Sequence, residues 1–386
     1  MENGLIKDKP LPFARIQPTW RRRRYVLAFV TLCLILWFLL VPSTPHPSSF
    51  VLDSHITVPI DWSKYAYSQY ATDQHYLCNS LMVFDSLHRL KSPADRLLFY
   101  PKTWDTDVHD SKDRISQLLV LARDKYKVKL RPVDIYKLKR DTGEDEQTWD
   151  ASINKLHAWN EDSYCRVIHL DSDITLRQSI DELFLLPLGK GSPVAMPRAY
   201  WHDEHKLSSL LIALEPNADE ATYLWDMAAG LDNDTAIDQN KLFDMELLNT
   251  RYASDAIVIP HRPYALVTGE FRRTGGDNHT RYLGNDYEAW NAQAALEEAK
   301  LIHFSDWPLP KPWVMWPNSL MREMRPECDY ENNTPNEHGC ENRKIWMDLY
   351  DDFRRRRKDV CRLLSVPAPD WPPKPKKKGK SRQDII

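Results

Sequence analysis

Glycine is scarce in this chain: only 11 of the 386 residues are glycine, and neither a Gly-x-Gly-x-x-Gly motif nor a P-loop is present. Both motifs cradle phosphate groups with the backbone N–H groups of a glycine-rich loop. If the chain binds a nucleotide, a metal ion and a lysine must therefore hold the phosphates instead.

An excess of basic charge is also missing. The 52 lysines and arginines are balanced by 55 aspartates and glutamates, which leaves a net charge of −3. This balance does not point to bulk nucleic-acid binding, so no nucleic acid is expected as a partner. With 42% hydrophobic residues, the chain is long enough for one large globular domain or two small ones.

One long apolar run lies near the start, from Tyr25 to Val41, with only Thr31 as a mild interruption. As a helix, its 17 residues would span about 26 Å at about 1.5 Å per residue, which suits the thin bilayer of the early secretory pathway. A secretory signal peptide is the alternative, but the run is long and no Ala-x-Ala-like site follows it. Arg21 to Arg24 precede the run, so the N-terminus is expected to stay cytosolic.

These features predict a single-pass signal-anchor protein whose larger part is lumenal. The predicted segments are a cytosolic tail (1–24), a transmembrane helix (25–41), an extended stem (42–60), a lumenal domain (61–365) and a disordered tail rich in proline and lysine (366–386).

Sequons and cysteines agree with a lumenal location. Asn233, Asn278 and Asn332 each begin an acceptor triplet for N-glycosylation, and such triplets also occur by chance. Five of the six cysteines follow the apolar run, where an oxidising compartment would allow disulfides. Cys328 and Cys340 bracket a loop rich in Asn, Pro and Gly and are the favoured pair, while Cys361 is left to pair elsewhere.

The predicted lumenal domain alternates segments typical of strands and helices. The expected strands are 65–72, 97–100 and 128–133, and the expected helices between them are 73–90 and 115–126. This alternation favours a parallel, doubly wound α/β sheet. Such sheets bind ligands at the carboxyl ends of their strands, so Thr72 and Asp73 are candidates for a nucleotide pocket.

The segment from Tyr164 to Leu176 combines a buried strand with two acids, Asp171 and Asp173, at its end. Unpaired buried charge is costly, so a bound cation is the economical explanation. Hard oxygen ligands select Mg²⁺ or Mn²⁺, which keep open positions for substrate phosphates. The alternative is a polar loop in which Asp173 caps something local.

Several other polar segments are open to two interpretations. Lys155, on a predicted helix over 151–159, could be an ordinary surface lysine. The run Arg354–Arg357, in a predicted helix over 344–364, is expected on its solvated face. The segment Arg262–Arg273 is either an acceptor surface or a structured loop. The segment His303–Trp313 places a metal-capable imidazole, a cation and two aromatic rings within eleven residues.

Taken together, these pieces resemble the retaining glycosyltransferases of family eight, the glycogenin-like group, and within it the fungal Golgi N-acetylglucosaminyltransferases. The resemblance covers roughly Tyr65 to Trp316. It depends on ordered motifs: Gln69-Tyr-Ala-Thr72, Lys155, Leu170-Asp-Ser-Asp173, Asp181-Glu-Leu-Phe184, Asp244-Met-Glu-Leu-Leu-Asn249, His303-Phe-Ser305 and Lys311-Pro-Trp313.

The resemblance implies a Rossmann-like GT-A fold and a role for each matching residue. Asp171, Asp173 and His303 would hold Mn²⁺, with Mg²⁺ possible, and Lys311 would contact the pyrophosphate. Ala71 and Thr72 would line the uridine site. Lys155 and Ser172 would contact the donor. Asp244, near the sugar, is the expected catalytic residue.

Two departures from the family pattern lie on the sugar side. Ser208-Ser209 stands where Asn-Ser-Gly is common, and Met245 stands where Gln is usual. These departures bear on the identity and orientation of the donor sugar more than on the metal-dependent chemistry.

The function implied by the resemblance is retaining transfer of N-acetylglucosamine from UDP-N-acetylglucosamine to a glycan acceptor in the Golgi lumen. UDP-glucose or UDP-galactose as donor is one alternative. A membrane-anchored, glycan-binding pseudoenzyme is the other, and its sign would be the loss of a metal ligand, but all three candidate ligands are present.

The predicted topology can be tested in sealed microsomes. A tag placed after the C-terminus is expected to survive added protease, because everything beyond residue 42 would be lumenal. Immunoblotting before and after detergent lysis measures this, and a tag digested in intact vesicles would rule the topology out.

Overall fold

The computed structural model describes residues 59–137, 151–202, 205–233, 243–273, 279–306, 311–315, 317–328, 330–331, 334–335, 340–363 and 366–367. The predicted cytosolic tail and transmembrane helix, most of the stem and most of the C-terminal tail lie outside these residues. Within them, no helix combines the length and apolarity needed to cross a bilayer. The chain divides into Met1–Ile60 and Asp61–Ile386, and the fold below is that of the second unit.

A seven-stranded sheet forms the centre of the domain. Its strands are β1 (Tyr65–Tyr70), β2 (Asp95–Pro101), β3 (Val128–Val133), β4 (Arg166–Leu170), β6 (Val194–Pro197), β7 (Leu211–Leu214) and β8 (Ile257–Ile259), in the spatial order β3-β2-β1-β4-β7-β6-β8. Neighbouring strands are parallel except that β7 runs antiparallel to both β4 and β6. The prediction of an α/β domain with a mostly parallel sheet is confirmed.

Short strands add three smaller sheets. They are β5 (Ile174–Leu176), β9 (Leu266–Val267), β10 (Leu301–His303), β11 (Val314–Met315), β12 (Tyr330–Glu331), β13 (Thr334–Pro335) and β14 (Val366–Pro367). Of these, β10 pairs antiparallel with β5 and parallel with β9. This small sheet begins directly after the loop that carries Asp171 and Asp173.

Nine α-helices are described beside the sheets. They are α1 (Gln74–Arg89), α2 (Arg114–Tyr126), α3 (Ala218–Asn233), α4 (Asp244–Tyr252), α5 (His261–Tyr264), α6 (Thr280–Leu283), α7 (Ala292–Glu298), α8 (Asn318–Met324) and α9 (Glu341–Cys361). The helix expected over 151–159 is a 3-10 helix, Ser152–Asn160. Asp73 caps α1 by accepting hydrogen bonds from the N–H groups of His75 and Tyr76 at 2.7 and 3.0 Å, so it precedes the helix.

Both faces of the sheet are buried. Successive residues of β2, Leu97 and Leu98, belong to two different hydrophobic clusters, as do Val167 and Ile168 of β4. Adjacent side chains of a strand point to opposite faces, so each cluster lies on one side of the sheet. All five residues of β4 are buried, which is the environment of a central strand covered on both faces.

The expectation that Arg354–Arg357 forms a solvated face is wrong for two of the four arginines. Arg357 is fully buried and donates to Asn79 Oδ1 at 2.9 Å, and Arg356 donates to the carbonyl of Met82 at 2.8 Å. Burial lowers the pKa of Arg357 to about 10, although Asp73 acts in the opposite direction. Because α9 packs against α1, Arg356 and Arg357 donate hydrogen bonds to neutral acceptors on α1.

Two disulfides close the domain. Cys328 is bonded to Cys340, as predicted, and Cys361 at the end of α9 is bonded to Cys78 in α1, a pairing that the sequence left open. The second bond joins residues 283 positions apart and fixes α9 to α1.

Removing the long-range disulfide should cost far more stability than removing the local one. For Cys78→Ser/Cys361→Ser we expect a loss of about 5 kcal/mol in the free energy of unfolding, because the bond closes a long loop in the unfolded chain. Urea denaturation measures it. The matched control is Cys328→Ser/Cys340→Ser, which opens a loop with a separation of only 12 and should cost roughly 3 kcal/mol less on the chain-entropy argument. Equal losses would contradict this account.

Candidate active site

The candidate site lies where the order of the sheet changes direction. From β1 the chain moves outward to β2 and β3, while β4 packs on the other side of β1. The loops after β1 and β4 therefore flank a crevice at the carboxyl ends of two adjacent parallel strands. Gln69 secures this edge, since its side-chain amide donates to the carbonyl of Leu170 at 2.6 Å.

The pairing of β5 with β10 brings His303 next to the loop that carries Asp171 and Asp173, which we call the acidic loop. His303 lies opposite Ile174, and the N–H of Phe304 donates to the carbonyl of Asp173 at 2.9 Å. One ligand atom each from Asp171, Asp173 and His303 can be chosen so that all three lie within 4.8 Å of one another. Two carboxylates and an imidazole at this separation form a donor set that fits one divalent cation such as Mn²⁺.

Lys311 contacts the same carboxylate. Its ammonium donates to Asp173 Oδ2 at 2.5 Å and to the carbonyl of Phe304 at 3.2 Å. Burial acts to raise the pKa of Asp173, but Lys311 and His303 outweigh it and hold that pKa far below its usual value. Asp173 is therefore an anion at any physiological pH.

Lys155 is not a solvated surface lysine, because only 1% of it is exposed. Its ammonium lies 2.9 Å from Asp171 Oδ1 and 2.6 Å from Asp244 Oδ2, and it donates to the carbonyl of Ser209 at 3.1 Å. Burial acts to lower the pKa of Lys155, yet the two carboxylates raise it above its usual value. Lys155 is therefore a permanent cation that links the acidic loop to α4.

Asp244 is the first residue of α4 and is also buried. Its Oδ2 accepts a hydrogen bond from Ser209 Oγ at 2.5 Å in addition to the contact with Lys155. Burial acts to raise the pKa of Asp244, but Lys155 and its hydrogen bonds lower it below the usual value. Ser209, which belongs to the Ser208-Ser209 departure from the family pattern, thus orients this carboxylate.

These side chains line a single cavity of about 490 Å³. The lining includes the sequence-predicted residues Lys155, Asp171, Ser172, Asp173, Ser208, Ser209, Asp244, Met245, His303 and Lys311. Ala71 and Thr72 follow β1 at the same edge, but Tyr70 rather than either of them is among the described lining residues. The backbone N–H of Ala71 donates to the carbonyl of Phe99. The contact of Ala71 and Thr72 with uridine stays a prediction.

The aromatic walls of the cavity were missed from the sequence. Tyr70 stacks on His169 at a ring distance of 5.8 Å, and Tyr76 meets Trp313 edge to face at 5.4 Å. Trp201 and Phe243 also line the cavity, as does Met245. The sequence signal for Tyr70 is its position at the end of β1, directly before Ala71 and Thr72, the residues predicted to contact uridine.

The segment Arg262–Arg273 has the contacts of a structured loop. Arg262 pairs with Glu288 and Glu298, both at 2.8 Å. Arg272 pairs with Asp306 at 2.7 Å, and Glu270 is buried against His279. These charges are used within the fold, which favours the structural interpretation of the segment over an acceptor surface.

The predicted glycosylation sites are not described by the structure. Asn278 and Asn332 lie outside the described residues. Asn233 is the last residue of α3, and its side chain also lies outside the described part.

Comparisons with known proteins find close relatives but no matching family model. A protein called glucose N-acetyltransferase 1 from Aspergillus fumigatus is 51% identical over 362 residues, covering 92% of this chain and 91% of the relative. A protein of the same name from Gibberella zeae is 42% identical over 318 residues, covering 81% of this chain and 66% of the relative.

Similarity to solved structures is weaker. The bifunctional glycosyltransferase WbbM shares 13% identity with a TM-score of 0.47, covering 78% of this chain and 50% of that one. The galactosyltransferase LgtC shares 12% identity with a TM-score of 0.44, covering 74% and 95% respectively.

Lys155 offers a direct test of the electrostatics of the site. Lys155→Met leaves the buried Asp244 and the partly exposed Asp171 without their cation, so we expect the free energy of unfolding to fall by about 3–5 kcal/mol. Urea denaturation measures it. The control is Lys129→Met, which removes a lysine whose side chain is 48% exposed and 2.6 Å from Asp95, and it should cost about 1 kcal/mol or less. Similar losses in both variants would refute the buried bridge.

Proposed function

Because the chain belongs to the glucose N-acetyltransferase 1 family, we propose that it transfers N-acetylglucosamine from UDP-N-acetylglucosamine to a glycan acceptor. The family membership confirms the prediction that the chain is an enzyme of the transferase class. The observation that carries the finer proposal is the meeting of Asp171, Asp173, His303 and Lys311 at one cavity. This is the metal-and-lysine arrangement that a chain without a glycine-rich phosphate loop requires.

Asp171, Asp173 and His303 would hold the divalent cation, with Mn²⁺ preferred and Mg²⁺ possible. The imidazole favours Mn²⁺, since Mg²⁺ prefers an all-oxygen shell. Asp171, Asp173 and Asp244 carry three negative charges against the two positive charges of Lys155 and Lys311. When bound, the cation would supply Lewis-acid stabilisation of the charge that grows on the leaving UDP.

Lys311 would contact the diphosphate as a point charge. A quarter of its side chain is exposed, and it lines the cavity beside Asp173. Its hydrogen bond to the carbonyl of Phe304 fixes the ammonium in advance, so little reorganisation is needed when charge develops on the leaving group.

On the sugar side, the arrangement of the carboxylates supports same-face attack with retention of configuration. Asp244 is held by Lys155 and Ser209, and Glu246 accepts a hydrogen bond from the N–H of Phe243 at 3.1 Å. A carboxylate that is paired in this way is a weak nucleophile. Asp244 would instead orient the donor sugar by accepting hydrogen bonds from its hydroxyl groups.

We place the enzyme in the Golgi membrane as a single-pass type II protein with its catalytic GT-A domain in the lumen. The apolar run Tyr25–Val41 would be the anchor. The Cys78–Cys361 and Cys328–Cys340 bonds support an oxidising compartment, since structural disulfides are rare in the cytosol.

Two alternatives remain as outcomes of one experiment. A different donor, UDP-glucose or UDP-galactose, would reflect the unusual Ser208, Ser209 and Met245. A glycan-binding pseudoenzyme would bind without turnover, but the complete set of three ligands and Lys311 argues against it.

Product release from a panel of donors tests the proposal in the full-length, detergent-solubilised chain. With Mn²⁺ and a mixed glycan acceptor, we expect UDP-N-acetylglucosamine to be used at least about tenfold faster than UDP-glucose or UDP-galactose. Acetyl-CoA with glucose is included because the relatives' name, taken literally, denotes acetyl transfer. UDP release and mass spectrometry of the acceptor are the measurements.

Asp173→Ala should lower turnover by at least about 100-fold, because it removes a proposed ligand and the partner of Lys311. The control is Asp134→Ala, an aspartate whose side chain is 80% exposed, which should leave turnover unchanged. Full activity of Asp173→Ala, or of the wild type in EDTA, would overturn the metal assignment. Preference for another donor would revise only the sugar.

A further inference from the structure

Asp306 lies between His303 and Lys311 in the chain but is not among the described residues that line the cavity. It is 7% exposed, and its carboxylate accepts hydrogen bonds from three side chains. Its Oδ1 accepts from Arg272 Nη1 at 2.7 Å, and its Oδ2 accepts from Trp346 Nε1 at 2.7 Å and from the Tyr350 hydroxyl at 3.2 Å. A buried carboxylate with three donors, one of them charged, is firmly held.

These donors come from two separate parts of the fold. Trp346 and Tyr350 belong to α9, whose end is bonded to α1 through Cys361, and Arg272 ends the 3-10 helix Thr268–Arg272. Gly269 allows that 3-10 helix to approach closely, since a Cβ added there would lie 3.2 Å from Asp306 Oδ1. The segment after β10 is therefore fixed to rigid elements on two sides.

Arg272 holds a second point of the same stretch of chain. Its Nε donates to the carbonyl of Met324 at 2.9 Å, at the end of α8. The residues between Asp306 and Met324 include Lys311, so one guanidinium restrains the chain on both sides of that lysine. Because Asp306 and Arg272 neutralise each other, their influence on the cavity is geometric more than electrostatic.

We propose that Asp306, paired with Arg272, is a positioning residue that sets His303 and Lys311 for the cation and the diphosphate. This inference rests on the proposed function for the identity of those ligands. Asp306 acts through the backbone that it anchors and touches neither ligand. Metal and phosphate sites tolerate displacements of only about 0.5 Å, so loosening this anchor weakens binding before it abolishes folding.

The test measures binding by the full-length chain in detergent. Isothermal titration calorimetry gives the dissociation constant of UDP in saturating Mn²⁺ and the Mn²⁺ concentration that half-saturates UDP binding. Asp306→Asn keeps the size of the side chain but removes its negative charge. It also places an NH₂ group, which cannot accept a hydrogen bond, opposite one of the donors Arg272, Trp346 and Tyr350. We expect both quantities to rise about tenfold.

A milder variant keeps the test informative if Asp306→Asn does not fold. Tyr350→Phe removes one donor to Asp306 and should raise both quantities about threefold. The matched control is Asp181→Asn, which alters a carboxylate that accepts from the hydroxyls of Tyr67 and Ser92, both at 2.7 Å, and that does not line the cavity. It should lower the unfolding midpoint in urea without changing either binding quantity.

The outcomes separate this inference from the proposed function. Mn²⁺-dependent UDP binding of equal strength in the wild type, folded Asp306→Asn and Tyr350→Phe overturns the inference alone. A shift of the same size in Asp181→Asn would also overturn it, since general destabilisation would then explain the effect. Absence of Mn²⁺-dependent UDP binding in the wild type would instead overturn the proposed function, and this inference with it.

Discussion

The buried ammonium of Lys155 is the interaction on which the candidate site depends. It lies between Asp171 at the end of β4 and Asp244 at the start of α4. Two carboxylates in the same cavity wall repel each other and favour protonation, and a shared cation offsets part of this cost, although burial still raises the pKa of Asp171. The bridge therefore lowers the cost of holding Asp171 on the metal side and Asp244 on the sugar side of one cavity.

Much of the fold was predictable because its signals are local. The alternation of apolar strands and amphipathic helices from Tyr65 to Val133 depends on residues near one another in the chain, and β3 has the predicted bounds. The acids after β4 were recognisable because charge at the end of a buried strand is costly. The scarcity of glycine added a second constraint, since it left phosphate binding to a cation and a lysine.

The rest depended on long-range packing that no local pattern encodes. Arg356 and Arg357 look like part of a charged surface, but α9 turns them towards neutral acceptors on α1. Arg272 looked equally suited to an acceptor surface, and its partners Asp306 and Met324 lie 34 and 52 residues away in sequence. The polarity of a side chain can be read from a sequence, whereas its partner is decided by which elements pack together.

The bond between Cys78 and Cys361 also bears on the order of events during synthesis. At about 5–20 residues per second, Cys361 emerges roughly 15–60 s after Cys78, because the two are 283 positions apart. Cys165 is synthesised within that interval and is free in the finished structure. During that interval the thiol of Cys78 can pair with Cys165 before its native partner exists, so correct pairing depends on thiol–disulfide exchange that reverses such an early bond.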